Sequence, residues 1–266
     1  MTKKLAFING KGGCGKTTSI FHVAGVLSNA GMKVLVLDFD KQRNTTEIML
    51  MNTEIPKATV VDVMMGKELP QKATVSALFQ TRGNALPKPF GVDCMASDIR
   101  LEDESKLRKI DSVDFGRRLN SFIQEKGYDW LLVDMPPSSK ILNDICFGNV
   151  VNFLIAPFSS DIFSVKGYSD LMKTVERSRT GNPNLKNLGV YLSKYMSNCS
   201  LDKYVRDELI NNFGEAFIDI QIPLAADVRE AVFFGRPISY YKNPYNKSRM
   251  AYEELVNEII TRMERL

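Results

Sequence analysis

Gly10-Lys11-Gly12-Gly13-Cys14-Gly15-Lys16-Thr17-Thr18 decides how this 266-residue chain is read. The stretch fits G-x-x-x-x-G-K-[ST], follows a short apolar run at 5–9 and opens a helix-period segment from 17 to about 29. Gly10, Gly12, Gly13 and Gly15 let the backbone turn, so that successive N–H groups, that of Cys14 among them, face phosphate oxygens. The helix opening near Thr17 adds the positive end of its dipole. Lys16 is placed to reach β- and γ-phosphates, the Thr17 hydroxyl to ligate Mg²⁺, and the Thr18 hydroxyl to meet the α-phosphate.

Reading outward, Gly31 closes that helix and 33–38 is a second apolar run. A β–loop–α–β opening predicts a parallel sheet built by crossover helices. Further strand signals stand at Trp130–Asp134, at 151–156 ended by Pro157, at 188–192, and at 217–222 ended by Pro223. Helical patterns fall at 165–177 and 201–213. The expected fold is α/β: a single domain over 1–266, with a mostly parallel, twisted sheet and helices on both faces. Pro and Gly are frequent from about Asn52 to Arg100, so 52–110 is read as loop-rich additions to the sheet.

Composition agrees. Apolar residues are 44% and charged residues 25%, which excludes a disordered or collagenous chain. The apolar stretch 150–158 is broken by Asn152 and Pro157, too short to span a bilayer. Cys14, Cys94, Cys146 and Cys199 are scattered with no C-x-x-C, which disfavours zinc and disulfides and predicts a reducing, cytoplasmic setting. His22, the only histidine, has no partner motif for catalysis and reads as an ordinary helix residue.

Two carboxylate segments flank the loop chemically. The second apolar run ends Asp38-Phe39-Asp40-Lys41-Gln42, so Asp38 and Asp40 share a face while the strand stays extended. Both fall at a strand's C-terminal end, where open α/β sheets place ligands. Trp130–Asp134 leads into Met135-Pro136-Pro137-Ser138.

The form K-G-G-x-G-K-T-T, from Lys11 to Thr18, resembles the deviant Walker A motif of the ParA/MinD family of dimerising P-loop ATPases. That resemblance implies ATP and Mg²⁺ as cofactors, a homodimer in the ATP state, and a Lys11 that crosses to the facing subunit's nucleotide. The Asp38 segment is similar to the family's D-x-D-P-Q. The likeness assigns Asp40 to orienting the attacking water and Asp38 to the magnesium surroundings. Gln42 and Asn44 keep that pattern, and Lys41 stands where proline is usual. The Asp134 segment resembles Walker B with its D-x-P-P-S switch, so Asp134 holds Mg²⁺ through water. Lys11, Lys16, Asp40 and Asp134 are thus the implied catalytic set. The likeness runs on through Val61-Asp62-Val63-Met64-Met65-Gly66, Ala156-Pro157, Arg229-Glu230-Ala231 and Gly235-Arg236-Pro237-Ile238. It makes Pro223, of Ile222-Pro223, the candidate adenine contact.

Within that family four readings separate. A cysteine-bridged iron–sulfur reductase, with Cys94 and Cys146 as the pair, is disfavoured, because the Pro136-Pro137-Ser138 segment and the surroundings of Cys146 do not resemble cluster loops. A non-catalytic positioning scaffold would keep the fold and lose the chemistry. A MinD-like membrane helix should be basic on its polar face; residues 247–266 carry four cations and four anions, so docking on the core is expected and no membrane partner. A ParA-like partition ATPase is favoured. From 228 to 249 the cations Arg229, Arg236, Lys242, Lys247 and Arg249 face only Glu230, and Lys203 and Arg206 precede them. These are the candidate contacts to nonspecific double-stranded DNA. The expected partner is a ParB-like centromere-binding protein that stimulates hydrolysis, and the expected location is nucleoid-associated. With the first strand near residue 5, no N-terminal helix-turn-helix domain is expected. A ParA-like positioner of a non-DNA cargo would look the same.

Overall fold

The computed structural model describes residues 1–79, 88–160, 172–173, 175–241 and 243–266. Its strands are Lys3–Phe7 (β1), Val34–Asp38 (β2), Thr74–Phe79 (β3), Lys88–Met95 (β4), Trp130–Asp134 (β5), Phe153–Phe158 (β6), Lys186–Tyr195 (β7) and Phe217–Pro223 (β8). Its α-helices are Lys16–Asn29 (α1), Asn44–Met49 (α2), Val60–Met64 (α3), Glu104–Leu107 (α4), Ser112–Lys126 (α5), Lys140–Asn149 (α6), Ser200–Phe213 (α7), Ala226–Phe233 (α8) and Lys247–Arg265 (α9). Most of the helix expected at 165–177 lies outside the described residues, and 175–178 are helical.

The strands form one sheet in the order β3-β4-β2-β5-β1-β6-β7-β8, parallel throughout except for the β3–β4 pair. The strand sequences explain this. β2 and β5 are buried at every position, as strands covered on both faces must be. Their alternate residues serve two cores. Leu35, Leu37, Leu131 and Val133 pack on one side of the sheet; Val34, Val36, Trp130 and Leu132 pack on the other. Pro157 does not end β6, which runs on to Phe158. Beyond Ile155 this strand has left β1 and pairs only with β7, so the missing N–H of proline breaks no ladder bond. The segment read as loop-rich supplies the β3–β4 hairpin to one end of the sheet.

The C-terminal helix docks as its balanced charge predicts. Tyr252, Leu255, Val256 and Ile259 of α9 are buried against the α1 side of the sheet. Arg262 ties the helix down by donating to the carbonyls of Leu188 (2.8 Å), Glu215 (2.9 Å) and Phe217 (3.1 Å). Among the described residues no helix is long and apolar enough to cross a membrane.

His22 lies in this packing, fully buried, with its ring 4.6 Å from that of Tyr252. Its Nδ1 accepts the N–H of Ile238 at 3.2 Å. Burial pushes its pKa down to about 3. The unfolded chain therefore binds a proton near pH 6.5 that the folded chain refuses until about pH 3. Stability must fall as pH drops through that window. Urea midpoints measured from pH 7 to pH 4 should fall more steeply for the wild type than for His22→Asn, which keeps an acceptor and cannot titrate. Parallel slopes would refute the buried neutral ring.

Candidate active site

Register brings two buried carboxylates together. Asp38 and Asp134 are direct partners across β2 and β5, and Phe7, the last residue of β1, pairs with Asp134 on the other side. Both aspartates therefore stand at the C-terminal edge of the sheet, beside the loop that leaves β1. Burial pushes both carboxyls above the usual range, and the Asp134 charge raises Asp38 further.

Their hydrogen bonds give them different work. Asp38 accepts the N–H of Asp40 (2.9 Å) with one oxygen, and the N–H and hydroxyl of Thr46 (2.8 Å each) with the other. It clamps the 38–46 segment. Asp134 Oδ2 accepts the hydroxyls of Thr17 (2.7 Å) and Thr45 (2.6 Å). Asp134 Oδ1 is buried with no hydrogen-bond partner among the described residues. An unsatisfied buried carboxylate oxygen next to a threonine hydroxyl is the hard-oxygen donor set that suits Mg²⁺. The residues present thus fit the ion.

Asp38 and Asp40 do not share one extended face as expected. β2 ends at Asp38, and the Asp40 N–H bonds that side chain instead of a neighbouring strand. Asp38 is left fully buried, while Asp40 is half-buried and lines the cavity beside the loop. Asp40 Oδ1 accepts the N–H of Gln42 at 3.0 Å. Lys41, at the position where a proline was expected, pairs instead with Glu102 at 2.6 Å.

The loop is braced from below. Asn9 Oδ1 accepts the Lys11 N–H (2.9 Å), and Asn9 Nδ2 donates to the Pro157 carbonyl (2.7 Å). Gly13 and Gly15 take φ of +79° and +94°, conformations that side chains resist. Gly15 precedes α1 without any side-chain cap, and no acidic residue stands in the first turn. The helix end is thereby left open to an anion. Lys16, almost fully buried, donates to the carbonyls of Asn9 (3.3 Å) and Lys11 (3.1 Å). The Cys14 side chain is buried under the loop, and burial pushes its thiol up.

Two cavities meet at this loop. One, of about 810 Å³, is lined by Gly12, Gly13, Gly15, Lys16, Thr17 and Thr18, by Asp40, and by Pro136, Pro137 and Ser138. The other, of about 410 Å³, is walled mostly by apolar groups and includes Pro223, the expected base contact. Gly15, Thr18 and Lys194 line both. Lys11 lines neither and is half-buried on the outer limb of the loop. Gly10, at the start of the loop, also lines neither cavity.

The candidate DNA contacts divide. Arg206 is held by Asp219 (2.9 Å), and Arg249 by Glu253 (2.7 Å) and the Tyr241 carbonyl (3.1 Å). Arg236 stacks over Tyr241 at 4.3 Å from the ring centroid. Lys203, Arg229 and Lys247 are exposed. Lys242 lies outside the described residues. Sequence reasoning missed Thr45, Thr46, Ser193 and Lys194. The Thr45-Thr46 pair at a helix start was a readable signal, because threonines there hold nearby backbone and carboxylates. Ser193 and Lys194 end a strand and carried no signal.

Residues 2–187 match the family model described as an AAA domain. The chain is 30% identical to the chromosome-partitioning ATPase Soj of Treponema pallidum, covering 98% of each chain. It is 32% identical to the chromosome partitioning protein ParA of Caulobacter vibrioides, covering 97% of this chain and 94% of the relative. Its fold matches that of cobyrinic acid a,c-diamide synthase from Mycobacterium smegmatis with bound ATP analogue and magnesium. The TM-score is 0.80 at 21% identity, over 99% of this chain and 96% of the other. That last likeness concerns fold alone, since one fold hosts many chemistries.

Proposed function

Since the chain belongs to the ParA/MinD-type P-loop ATPases, we propose that it is a Mg²⁺-dependent ATPase of DNA partition. Two subunits join around ATP, the dimer holds DNA without sequence preference, and a ParB-like centromere-binding partner speeds hydrolysis and release. The observation that carries the ATPase reading is the orphaned Asp134 Oδ1 beside Thr17, at the foot of an uncapped phosphate loop. Bound Mg²⁺ would neutralise phosphate charge there. Thr17 and Asp134 would hold it, and Asp38 would fix the loop that aims Asp40. Gly10 to Thr18 would cradle the phosphates, with Lys16 on the β- and γ-groups. Pro223 would meet the base. Lys11, which lines neither of its own cavities, would serve the facing subunit's nucleotide.

The DNA reading rests on Lys203, Arg229 and Lys247, which are exposed, whereas Arg206, Arg236 and Arg249 are engaged within the chain. Binding to random duplex DNA, measured with ATP, ADP or no nucleotide across a salt series, tests it. ATP-dependent binding that weakens steeply with salt is expected. Lys203→Glu with Lys247→Glu should lower affinity at least ~tenfold and flatten the salt slope by about two. Arg206→Glu should do less. If ATP dimers form and no DNA binds, the partition reading falls.

A further inference from the structure

A lysine closes the seam between the two cavities. Lys194 follows Ser193 near the end of β7 and lines both spaces, as only Gly15 and Thr18 otherwise do among the described residues. Its backbone φ is +58°, and among the described residues only Arg43 is another non-glycine with positive φ. For a residue with a Cβ the left-handed region is unfavourable, and glycine would sit there freely. Strain of this kind persists where surrounding structure holds it, and it gathers at ligand sites.

The surroundings do hold it. Ser193 is buried, and its hydroxyl donates to the Phe158 carbonyl at 3.0 Å and also lies against the carbonyl of Cys14. The end of β7 is therefore bolted to the phosphate loop itself. A Cβ at Gly15 would stand 3.1 Å from Ser193 Oγ, so the two backbones approach as closely as the loop allows. Lys194 itself stays within β7, at the point where the pairing of β7 with β8 shifts register between Leu192 and Tyr195, and a bulge of this kind accommodates a left-handed residue. The bulged residue at φ +58° then carries an exposed cation over the boundary between a polar phosphate space and an apolar one.

We propose that Lys194 is a nucleotide-binding residue that recognises the part of the ligand shared by nucleoside di- and triphosphates. Its ammonium neutralises the α-phosphate, and its aliphatic stem covers the entrance to the base cavity. The inference rests on the nucleotide reading of the 810 Å³ cavity. It differs from the role of Lys16, which serves the outer phosphates. Lys194 acts on affinity and not on the reacting atoms, so its loss weakens ATP and ADP alike.

The test is calorimetric titration of Mg²⁺–ADP and of a slowly hydrolysed Mg²⁺–ATP analogue into wild type, Lys194→Gly and Lys194→Asn. Both replacements accept a left-handed backbone, so both should fold. Each should weaken both nucleotides about five- to tenfold, the scale of one charge-assisted hydrogen bond at an exposed position. The loss should shrink as salt is raised. The melting temperature of the nucleotide-free Lys194→Gly protein should equal or exceed that of wild type, because the backbone strain is relieved. Affinities within twofold of wild type in either variant overturn the proposal; a loss in Lys194→Gly alone assigns the effect to loop flexibility. Weakening confined to the triphosphate also overturns it. If wild type itself bound neither nucleotide, the cavity reading would fail first, and Lys16→Ala would show no further loss.

Discussion

Lys16→Ala should bind Mg²⁺–ATP at least about 100-fold more weakly than wild type and hydrolyse none of it detectably. The ammonium already lies inside the loop, almost fully buried and held by the carbonyls of Asn9 and Lys11. Phosphate oxygens would offer it stronger acceptors than those carbonyls. A hydrogen bond between charged groups contributes roughly 1.5–3 kcal/mol, and each 1.4 kcal/mol is tenfold. Two such bonds therefore amount to two decades or more. The substitution also removes the donor that ties Asn9 to Lys11, so the fold must be checked by circular dichroism and melting. Lys11→Ala is the internal control. Lys11 lines neither cavity, so its loss should leave monomer affinity within about threefold. A Lys16→Ala protein that is folded and still binds ATP within threefold of wild type would remove the phosphate-loop reading altogether.

The centre of the sheet was legible because parallel strands covered on both faces must be apolar throughout. V-L-V-L-D and W-L-L-V-D announced themselves for that reason, and their shared terminal aspartate proved to be one register pair, Asp38 against Asp134. The ends were less legible. Pro157 is a stop signal only where a strand has neighbours on both sides, and β6 has lost one by then. The hairpin of β3 and β4 carries Pro89 and Gly91 and sits at the sheet's end, where alternation is weak and turn chemistry dominates. Within the site, the phosphate loop could be read residue by residue because its glycines and lysine are tied to fixed tasks. Thr45 and Thr46 offered only the general signal of threonines at a helix start, and Lys194 offered none. Their parts depend on where a helix start and a strand end arrive in space. The same holds for charge. Arg206, Arg236 and Arg249 counted as cations in the sequence, yet Asp219, Tyr241 and Glu253 already engage them.

Asp40→Ala should bind ATP normally, form a stable dimer and release phosphate at least ~100-fold more slowly. The two aspartates of the 38–40 segment were equivalent as letters and are not equivalent as groups. Both Asp38 oxygens are committed to Asp40 and Thr46, so removing that side chain would unfix the segment and leave buried donors unpaired. Asp40 faces the cavity, and the Gln42 N–H engages only its Oδ1. A carboxylate that lines the phosphate cavity and has one oxygen held by a backbone N–H is suited to orienting a water for in-line attack. Its removal takes away that positioning and leaves Lys16, Thr17 and Asp134 untouched. Binding and chemistry should therefore separate: size-exclusion with ATP shows dimer, and a phosphate-release assay shows almost no turnover. Asp38→Ala should instead lower the melting temperature, since it dismantles the Thr46 clamp. If Asp40→Ala turned over ATP at the wild-type rate, the water-orienting role would pass to another group lining the cavity. If it remained monomeric in ATP, Asp40 would belong to assembly and not to chemistry.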